Sequence, residues 1–295
     1  MIEEHIPVLL KEVLDFFSPL EGKKIIDATL GLAGHSLKIL ESDAQVLGIE
    51  FDPEVIQLAK ERLKSVCPEA PWQIAEANFN QIEKVATKAG FNPADGILFD
   101  LGISRWHYKK AQRGFSFEDD SLDMRLNPEV SQSALDIINH YQYEQLLDIF
   151  TKLVQERLAG PIAQALVSTR RLNPISSAKD LAELVSRVYQ EQGVGSQKHP
   201  ATKVFLALRI LVNQEIDNLR TGLDQAVDLL GPGGRLAVIS FHSGEDRLVK
   251  QFFKQLWQQG KFEKPKRIFP SHQETRENPL SRSAQLRTIV KKESS

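Results

Sequence analysis

The sequence predicts an α/β protein with a parallel, Rossmann-like sheet and an inserted helical subdomain. Three observations carry this expectation. Between Lys24 and Asp100 short apolar runs alternate with helix-period segments, the pattern of consecutive βαβ units. Acidic residues close three of those runs, at Asp27, Glu50 and Asp100. From Trp106 to about Lys198 the helical period continues with no strand-like run, and a sheet pattern resumes only after it.

Taken in order, Lys24-Ile-Ile-Asp-Ala28 reads as a buried strand, and Gly31-Leu-Ala-Gly-His-Ser36 as a glycine turn opening a helix through Leu40. Gln45 to Glu50 is the second strand. Asp52-Pro53 then starts a helix, with Val55, Ile56, Leu58, Ala59 and Leu63 on one face and proline in its first turn. Trp72 to Ala75 is a weaker third strand. Gly96 to Asp100 is the fourth, wholly apolar up to its final carboxylate, as a central parallel strand should be. Within the helical stretch, Ala134 to Phe150 and Ala178 to Tyr189 stand out. Helices follow near Ala201 to Leu219 and Leu223 to Leu230, and a Gly231-Pro-Gly-Gly234 turn delivers a fifth strand, Arg235 to Phe241. Lys261 to Ser283 reads as a polar connection to a last strand, Gln285 to Val290.

Composition excludes several classes. With 295 residues, 41% hydrophobic and 26% charged, the chain is globular and not disordered, collagen-like or coiled-coil. A single cysteine, Cys67, rules out an internal disulfide framework, and the seven histidines show no metal-ligand spacing, so no metal is expected. No window approaches a membrane span, and Met1 to Pro7 lacks the basic and apolar regions of an export signal; a cytoplasmic location and no membrane partner are expected. The net charge of -2 is uneven, because the segment from Arg247 to Ser295 carries +8. That tail is either a solvated surface or a phosphate-binding one.

A strand, a glycine turn and a helix start, followed about 20 residues on by an acid closing the next strand, is a recipe for holding a nucleoside. Glu50 is placed to accept from a ribose diol. Ala33 and Ser36 stand where a dinucleotide fingerprint has its second and third glycines, which disfavours NAD. Three carboxylates converging on the C-terminal edge of the sheet suit a cationic ligand instead. S-adenosyl-L-methionine, with its sulfonium, ammonium and ribose diol, fits that edge, and Asn78-Phe79 after the third strand offers an edge and a face to adenine. A tight βα connection with no ligand would read similarly from the glycine turn alone. Cys67-Pro68 lies too far from the fourth strand to act as a nucleophile, and His242, Ser243 and Asp246 are too close in sequence to form a hydrolase triad.

The chain resembles the bacterial RsmH (MraW) family in a series of strings: His5-Ile-Pro-Val-Leu-Leu-Lys-Glu12, Asp27-Ala-Thr-Leu-Gly-Leu-Ala-Gly-His-Ser36, Asp95-Gly-Ile-Leu-Phe-Asp-Leu-Gly-Ile-Ser104, Arg113-Gly-Phe-Ser-Phe117, Leu122-Asp-Met-Arg125, His199-Pro-Ala-Thr202, Arg209-Ile-Leu-Val-Asn213 and Phe241-His-Ser-Gly-Glu-Asp-Arg247. The strings run in order along nearly the whole chain. The resemblance implies a class I (Rossmann-like) S-adenosylmethionine-dependent methyltransferase. It implies N4-methylation of a specific cytidine in the decoding region of 16S rRNA, with the small ribosomal subunit as partner. The expected methyltransferase domain is 1–105 with 199–295, and 106–198 is the expected substrate-recognition insertion.

The resemblance implies cofactor contacts at Ala33, Gly34, His35, Glu50, Phe79, Asp100 and His107, to which the strand reading adds Asp27. Asp100 and Ser104 are the expected catalytic pair. Trp106, Arg113, Phe115, His242, Ser243 and Arg247 are expected to meet the RNA, where a displaced base needs an aromatic or guanidinium surface. Ala33, Glu50, Arg105, His107 and Gly244 replace residues usual in the family, Gly, Asp, Ser, Gln and Leu respectively. Two alternatives follow from them: a relative that binds the subunit without methylating it, or one that methylates a different RNA.

Overall fold

The computed structural model describes residues 7–293, so His5 at the head of the first family string, and the chain ends of the expected domain, lie outside the described residues. The order of elements is α1 (Leu10–Phe17), β1 (Lys24–Asp27), α2 (Gly34–Leu40), β2 (Gln45–Glu50), α3 (Pro53–Val66), β3 (Trp72–Glu76), a 3₁₀ turn at Phe79–Gln81, α4 (Ile82–Ala89) and β4 (Ala94–Asp100). Then come α5 (Arg105–Lys109), α6 (Ala134–His140), α7 (Tyr143–Lys152), α8 (Ala159–Arg170), α9 (Ala178–Glu191), α10 (Thr202–Val212) and α11 (Glu215–Leu229). The chain closes with β5 (Leu230–Ser240), α12 (Ser243–Gln258), β6 (Lys266–Ile268), α13 (His272–Glu277), a 3₁₀ turn at Pro279–Ser283 and β7 (Gln285–Val290).

Seven strands form one sheet in the order β3-β2-β1-β4-β5-β7-β6. β3, β2, β1, β4 and β5 run parallel, while β7 is antiparallel to both β5 and β6. This is the expected Rossmann-like class. The central strands are apolar on both faces because helices cover both. Ile97 and Phe99 of β4, with Leu236 and Val238 of β5, face Ala86, Leu219, Leu223, Val249 and Phe253 from α4, α11 and α12. The alternate residues Leu98, Ala237 and Ile239 face Val13, Phe17, Leu37 and Leu63 from α1, α2 and α3. β7 is tied to the first turn of α12 by a bidentate pair, Arg287 Nε to Asp246 Oδ1 at 2.7 Å and Nη2 to Oδ2 at 3.1 Å.

The chain divides into two compact units, one comprising residues up to Ile103 and from Ile216 onward, the other Ser104–Glu215. The second unit is helical, as expected. It extends past the expected boundary at 198, because α10 packs on α6 and α7. The helix expected from Ala201 to Leu219 is broken between α10 and α11, where Gln214 adopts φ 50°. Asn213 stabilises the break: its Nδ2 donates to the carbonyls of Met124 and Arg209, and its Oδ1 accepts from Leu126 N. The helix expected over Ala134–Phe150 likewise divides, at an extended Tyr141, and restarts under a capping box made by Gln142 and Gln145. The polar connection before β7 contains a short edge strand and a short helix that its composition hid.

Gly96 is a position where the sheet has no room for a side chain. A Cβ there would stand 2.7 Å from the Phe17 ring and 2.8 Å from Ile25 Cδ1. Gly96→Ala is therefore expected to destabilise the fold by about 2 kcal/mol through overpacking. Urea unfolding checks this, and a change smaller than about 0.5 kcal/mol would contradict the packing.

Candidate cofactor and active site

The first unit gathers its ionisable groups at the C-terminal edge of the parallel strands, where open α/β sheets hold ligands. Asp27 ends β1 and is 1% exposed. Its Oδ2 accepts from Ser36 Oγ at 2.7 Å and its Oδ1 from Thr29 N at 3.3 Å. Thr29 Oγ1 in turn accepts from the Asp100 N–H at 2.6 Å, so the turn after β1 is fastened to the end of β4. Glu50, closing β2, accepts from Gly31 N at 2.9 Å through Oε2, and from Phe51 N and Asp52 N through Oε1. These donors hold its carboxylate against the glycine turn, at the position the sequence assigns to a ribose contact.

The turn enters α2 through Ala33, whose φ of 60° is left-handed. Its methyl is fully buried in the apolar cluster with Val8, Leu30 and Leu37, so this residue adds packing and not bulk on the ligand side. Gly34 is required by a close approach: a Cβ there would lie 2.8 Å from Pro7 Cγ. His35 is buried, with Nε2 2.9 Å from the Val8 carbonyl and Nδ1 3.4 Å from Asp100 Oδ2. A carbonyl can only accept, so Nε2 carries a proton, and Nδ1 is the ring nitrogen that faces Asp100.

Burial pushes the Asp27 carboxyl up to about 6, with the neighbouring Glu50 charge adding to it and the Ser36 and Thr29 hydrogen bonds working against it. Asp100 is raised well above the ordinary carboxylate range, first by burial and then by the charges of Asp27 and Glu245. Asp100 Oδ1 is shut off from solvent and has no hydrogen-bond partner among the described residues. A buried acceptor without a donor, beside two more carboxylates, is the arrangement a cationic ligand with hydrogen-bond donors would complete. The residues present therefore fit the expected cofactor, S-adenosylmethionine: Glu50 for its ribose, and Asp27 and Asp100 for its positive charges.

Phe79 lies half-buried beyond β3, edge-on to Phe99 with centroids 5.7 Å apart. Gly222 of α11 lets the helix approach, since a Cβ there would come within 3.0 Å of the Phe79 ring. Asn78 caps the 3₁₀ turn with its side chain, which engages one of the two groups expected beside adenine. At the start of α12, His242 Nδ1 accepts from Gly244 N and Glu245 N, while Glu245 Oε2 accepts from Phe241 N at 2.9 Å. His242 is thus a helix cap, whereas Ser243 and Arg247 are exposed. Thr29, Glu245 and the His35 to Asp100 contact were not singled out from sequence. Thr29 is a common hydroxyl in a turn, and Glu245 acts on Asp100 only once the fold brings α12 beside β4.

Within the second unit, His107 is buried and its Nδ1 lies 2.9 Å from Ser104 Oγ and 3.2 Å from Ser104 N, a capping box for α5. Trp106 and Phe115 pack edge-on to the His107 ring at 5.3 and 5.4 Å, and the Arg113 guanidinium sits 5.7 Å above Trp106. Arg113 Nη1 donates to Leu126 O at 3.0 Å. Phe115 is buried, so its ring serves this cluster, while Trp106 is half-exposed.

Comparison with known proteins adds three findings. The model of the MraW methylase family matches residues 3–292. A protein of Thermomicrobium roseum named ribosomal RNA small subunit methyltransferase H is 43% identical over 309 residues, covering 96% of this chain and 92% of its own. Proteins of the same name from Pseudothermotoga lettingae and Dictyoglomus turgidum are 40% and 38% identical, each covering 98% of this chain and 99% and 98% of their own lengths.

The elevated Asp27 has a thermodynamic consequence. Its pKa in the folded state, about 6, exceeds the ordinary 3.8, so between these values the folded protein binds more protons than the unfolded chain. Stability therefore falls as pH rises through that window, by about 3 kcal/mol once the carboxyl is ionised in both states. Asp27→Asn is expected to remove this loss, gaining about 2 to 3 kcal/mol more over the parent near pH 7.5 than near pH 4. Urea unfolding at both pH values checks it; an equal difference at both would contradict the assignment.

Proposed function

Because the chain belongs to the MraW methylase family, we propose that it transfers a methyl group from S-adenosylmethionine to N4 of one cytidine in the decoding region of 16S rRNA, acting on the small ribosomal subunit in the cytoplasm. The observation that supports this reading best is the carboxylate pair of buried Asp27 and partly buried Asp100, set beside Glu50 at the edge of the sheet. No described helix is long and apolar enough to cross a membrane.

When bound, the cofactor supplies an electrophilic methyl on a sulfonium. Glu50, held by three backbone N–H groups, accepts from the ribose hydroxyls. Gly34 and the left-handed turn keep the backbone close to that ligand. The exocyclic amine of cytosine is a poor nucleophile because its lone pair is delocalised into the ring, so its orientation and the fate of its proton matter most. Asp100, with a free Oδ1 and a raised proton affinity, accepts a hydrogen bond from the amine and then its proton. His35, whose Nδ1 faces the other oxygen of Asp100, lets that proton be shared. The second unit is proposed to recognise the RNA, with Trp106, Arg113 and Phe115 among its contacts, and Ser243 and Arg247 adding contacts from the first unit. Ser104 and His107 are proposed as reaction-site contacts on the family resemblance alone.

The test is transfer from labelled S-adenosylmethionine to small subunits lacking the modification, followed by nucleoside analysis. N4-methylcytidine at one position is expected. A different methylated nucleotide would overturn the substrate, and no transfer with cofactor bound would leave a non-catalytic binder. Asp100→Asn is expected to lower kcat at least about 100-fold while the protein stays folded. Retention of full kcat would remove Asp100 from the chemistry.

A further inference from the structure

The polar connection from Lys261 to Ser283 and the Pro7-Val8-Leu9 part of the first family string have no role in the reaction as described so far, yet the fold ties them together beside its site. Glu274 of α13 accepts the Leu9 N–H at 2.7 Å through Oε1, a bond that spans 265 positions of sequence. The helix presents this half-buried carboxylate from its first turn, where Ser271 accepts the Glu274 N–H at 3.1 Å and fixes the backbone that carries it. Burial pushes the Glu274 carboxyl up, the Leu9 N–H works against that, and the charge of Glu12 adds to it. The bond to Leu9 is thus what an anion gains by lying there.

The bond holds a strained residue. Leu9 precedes α1 with φ 55°, a left-handed conformation that a side chain disfavours, and it is fully buried in the apolar cluster with Val13 and Leu37. Such a backbone persists only where its surroundings over-determine it. With Leu9 held, the residues before it form a strap across the start of α2: a Cβ at Gly34 would stand 2.8 Å from Pro7 Cγ, and the Val8 carbonyl faces His35 Nε2 at 2.9 Å. That carbonyl requires a hydrogen on Nε2, so the strap decides which ring nitrogen meets Asp100 Oδ2, 3.4 Å from Nδ1. Asp27 of β1 and Glu245 of α12 act on Asp100 through their charge, whereas the strap acts on it through the orientation of His35. A carboxylate at a helix start also favours α1 through the helix dipole, a role any nearby anion would fill. Holding Val8 against His35 demands an acceptor at one point in space.

We infer that Glu274 is a positioning residue for the methyl transfer: by holding Leu9 it sets the Val8 carbonyl on His35 Nε2, and so presents His35 Nδ1 to Asp100. The inference rests on the reading of Asp100 as the group that takes the proton of the reacting amine. It gives the last connection of the chain a part in the site, and it gives Pro7-Val8-Leu9 a reason for lying where it does.

The experiment uses the full chain in three variants. Glu274→Ala removes the acceptor, Glu274→Asp keeps the charge but draws it back by a methylene, and Glu274→Gln keeps an acceptor oxygen without the charge. Two quantities are read: kcat for transfer from labelled S-adenosylmethionine to small subunits lacking the modification, and nitrogen NMR spectra of the histidine rings, which report the nitrogen that carries hydrogen. The His35 signals are assigned through His35→Asn. The parental and Glu274→Gln proteins are expected to show hydrogen on His35 Nε2. Glu274→Ala and Glu274→Asp are expected to lose that single state and to lower kcat about 10- to 100-fold, with S-adenosylmethionine affinity within about threefold of the parent, as misplacing a group near reacting atoms does. Urea midpoints are measured alongside, and should Glu274→Ala fail to fold, the Asp and Gln variants decide. Parental kcat and an unchanged His35 in Glu274→Asp would overturn the proposal, as would equal losses in Glu274→Asp and Glu274→Gln, or a loss of kcat with His35 unchanged. The expected change at His35 in a protein whose parent methylates no subunit would uphold the strap and count against the proposed function.

Discussion

The structure depends on setting two carboxylates, Asp27 buried and Asp100 partly buried, at the ends of adjacent strands. Asp27 and Asp100 close β1 and β4, which pair in parallel register; burial raises the proton affinity of both, and the Asp27 charge raises that of Asp100 further. Water hardly reaches Asp27 there and solvates Asp100 only in part. The turn after β1 supplies what water does not: Ser36 and Thr29 donate to Asp27, Thr29 also receives the Asp100 N–H, and His35 faces Asp100. Among the described residues no donor meets Asp100 Oδ1. A buried acceptor left in this state destabilises the free protein, and a ligand that brings positive charge and donors relieves it.

The parallel sheet puts this arrangement where chemistry can use it. Three strand ends deliver three acids to one edge, and the βα turn brings backbone to the same edge through Gly31 and Gly34. Glu50 is held by N–H groups from two segments, so its orientation is set before any ligand arrives. Ala33 takes the left-handed conformation that glycine would adopt more readily, and its buried methyl offsets part of that strain by packing. The departure from the family glycine is therefore accommodated inside the core.

Much of this was legible in the sequence, for identifiable reasons. The strands were readable because they are short, apolar and closed by acids, and Asp27, Glu50 and Asp100 stood out by ending them. The breaks at Tyr141 and Gln214 were not, since the apolar period runs on across both. Each depends on a local signal outside that period, the Gln142 box in one case and the reach of Asn213 to Met124 and Leu126 in the other. In the site, the pairing of His35 with Asp100 escaped because the two are 65 positions apart and their contact depends on how α2 is seated. The ring of His242, expected from the sequence to meet RNA, is engaged in capping α12.

The most direct test of the account is the number of protons released when cofactor binds, measured by calorimetry near pH 6 in buffers of different ionisation enthalpy. If Asp27 and Asp100 hold protons in the free protein because no cation faces them, S-adenosylmethionine should displace protons, and the uncharged-sulfur product S-adenosylhomocysteine should displace fewer. Asp100→Asn should reduce the release. Equal release for the two ligands, or none for either, would contradict the claim that this site is built around a positive charge.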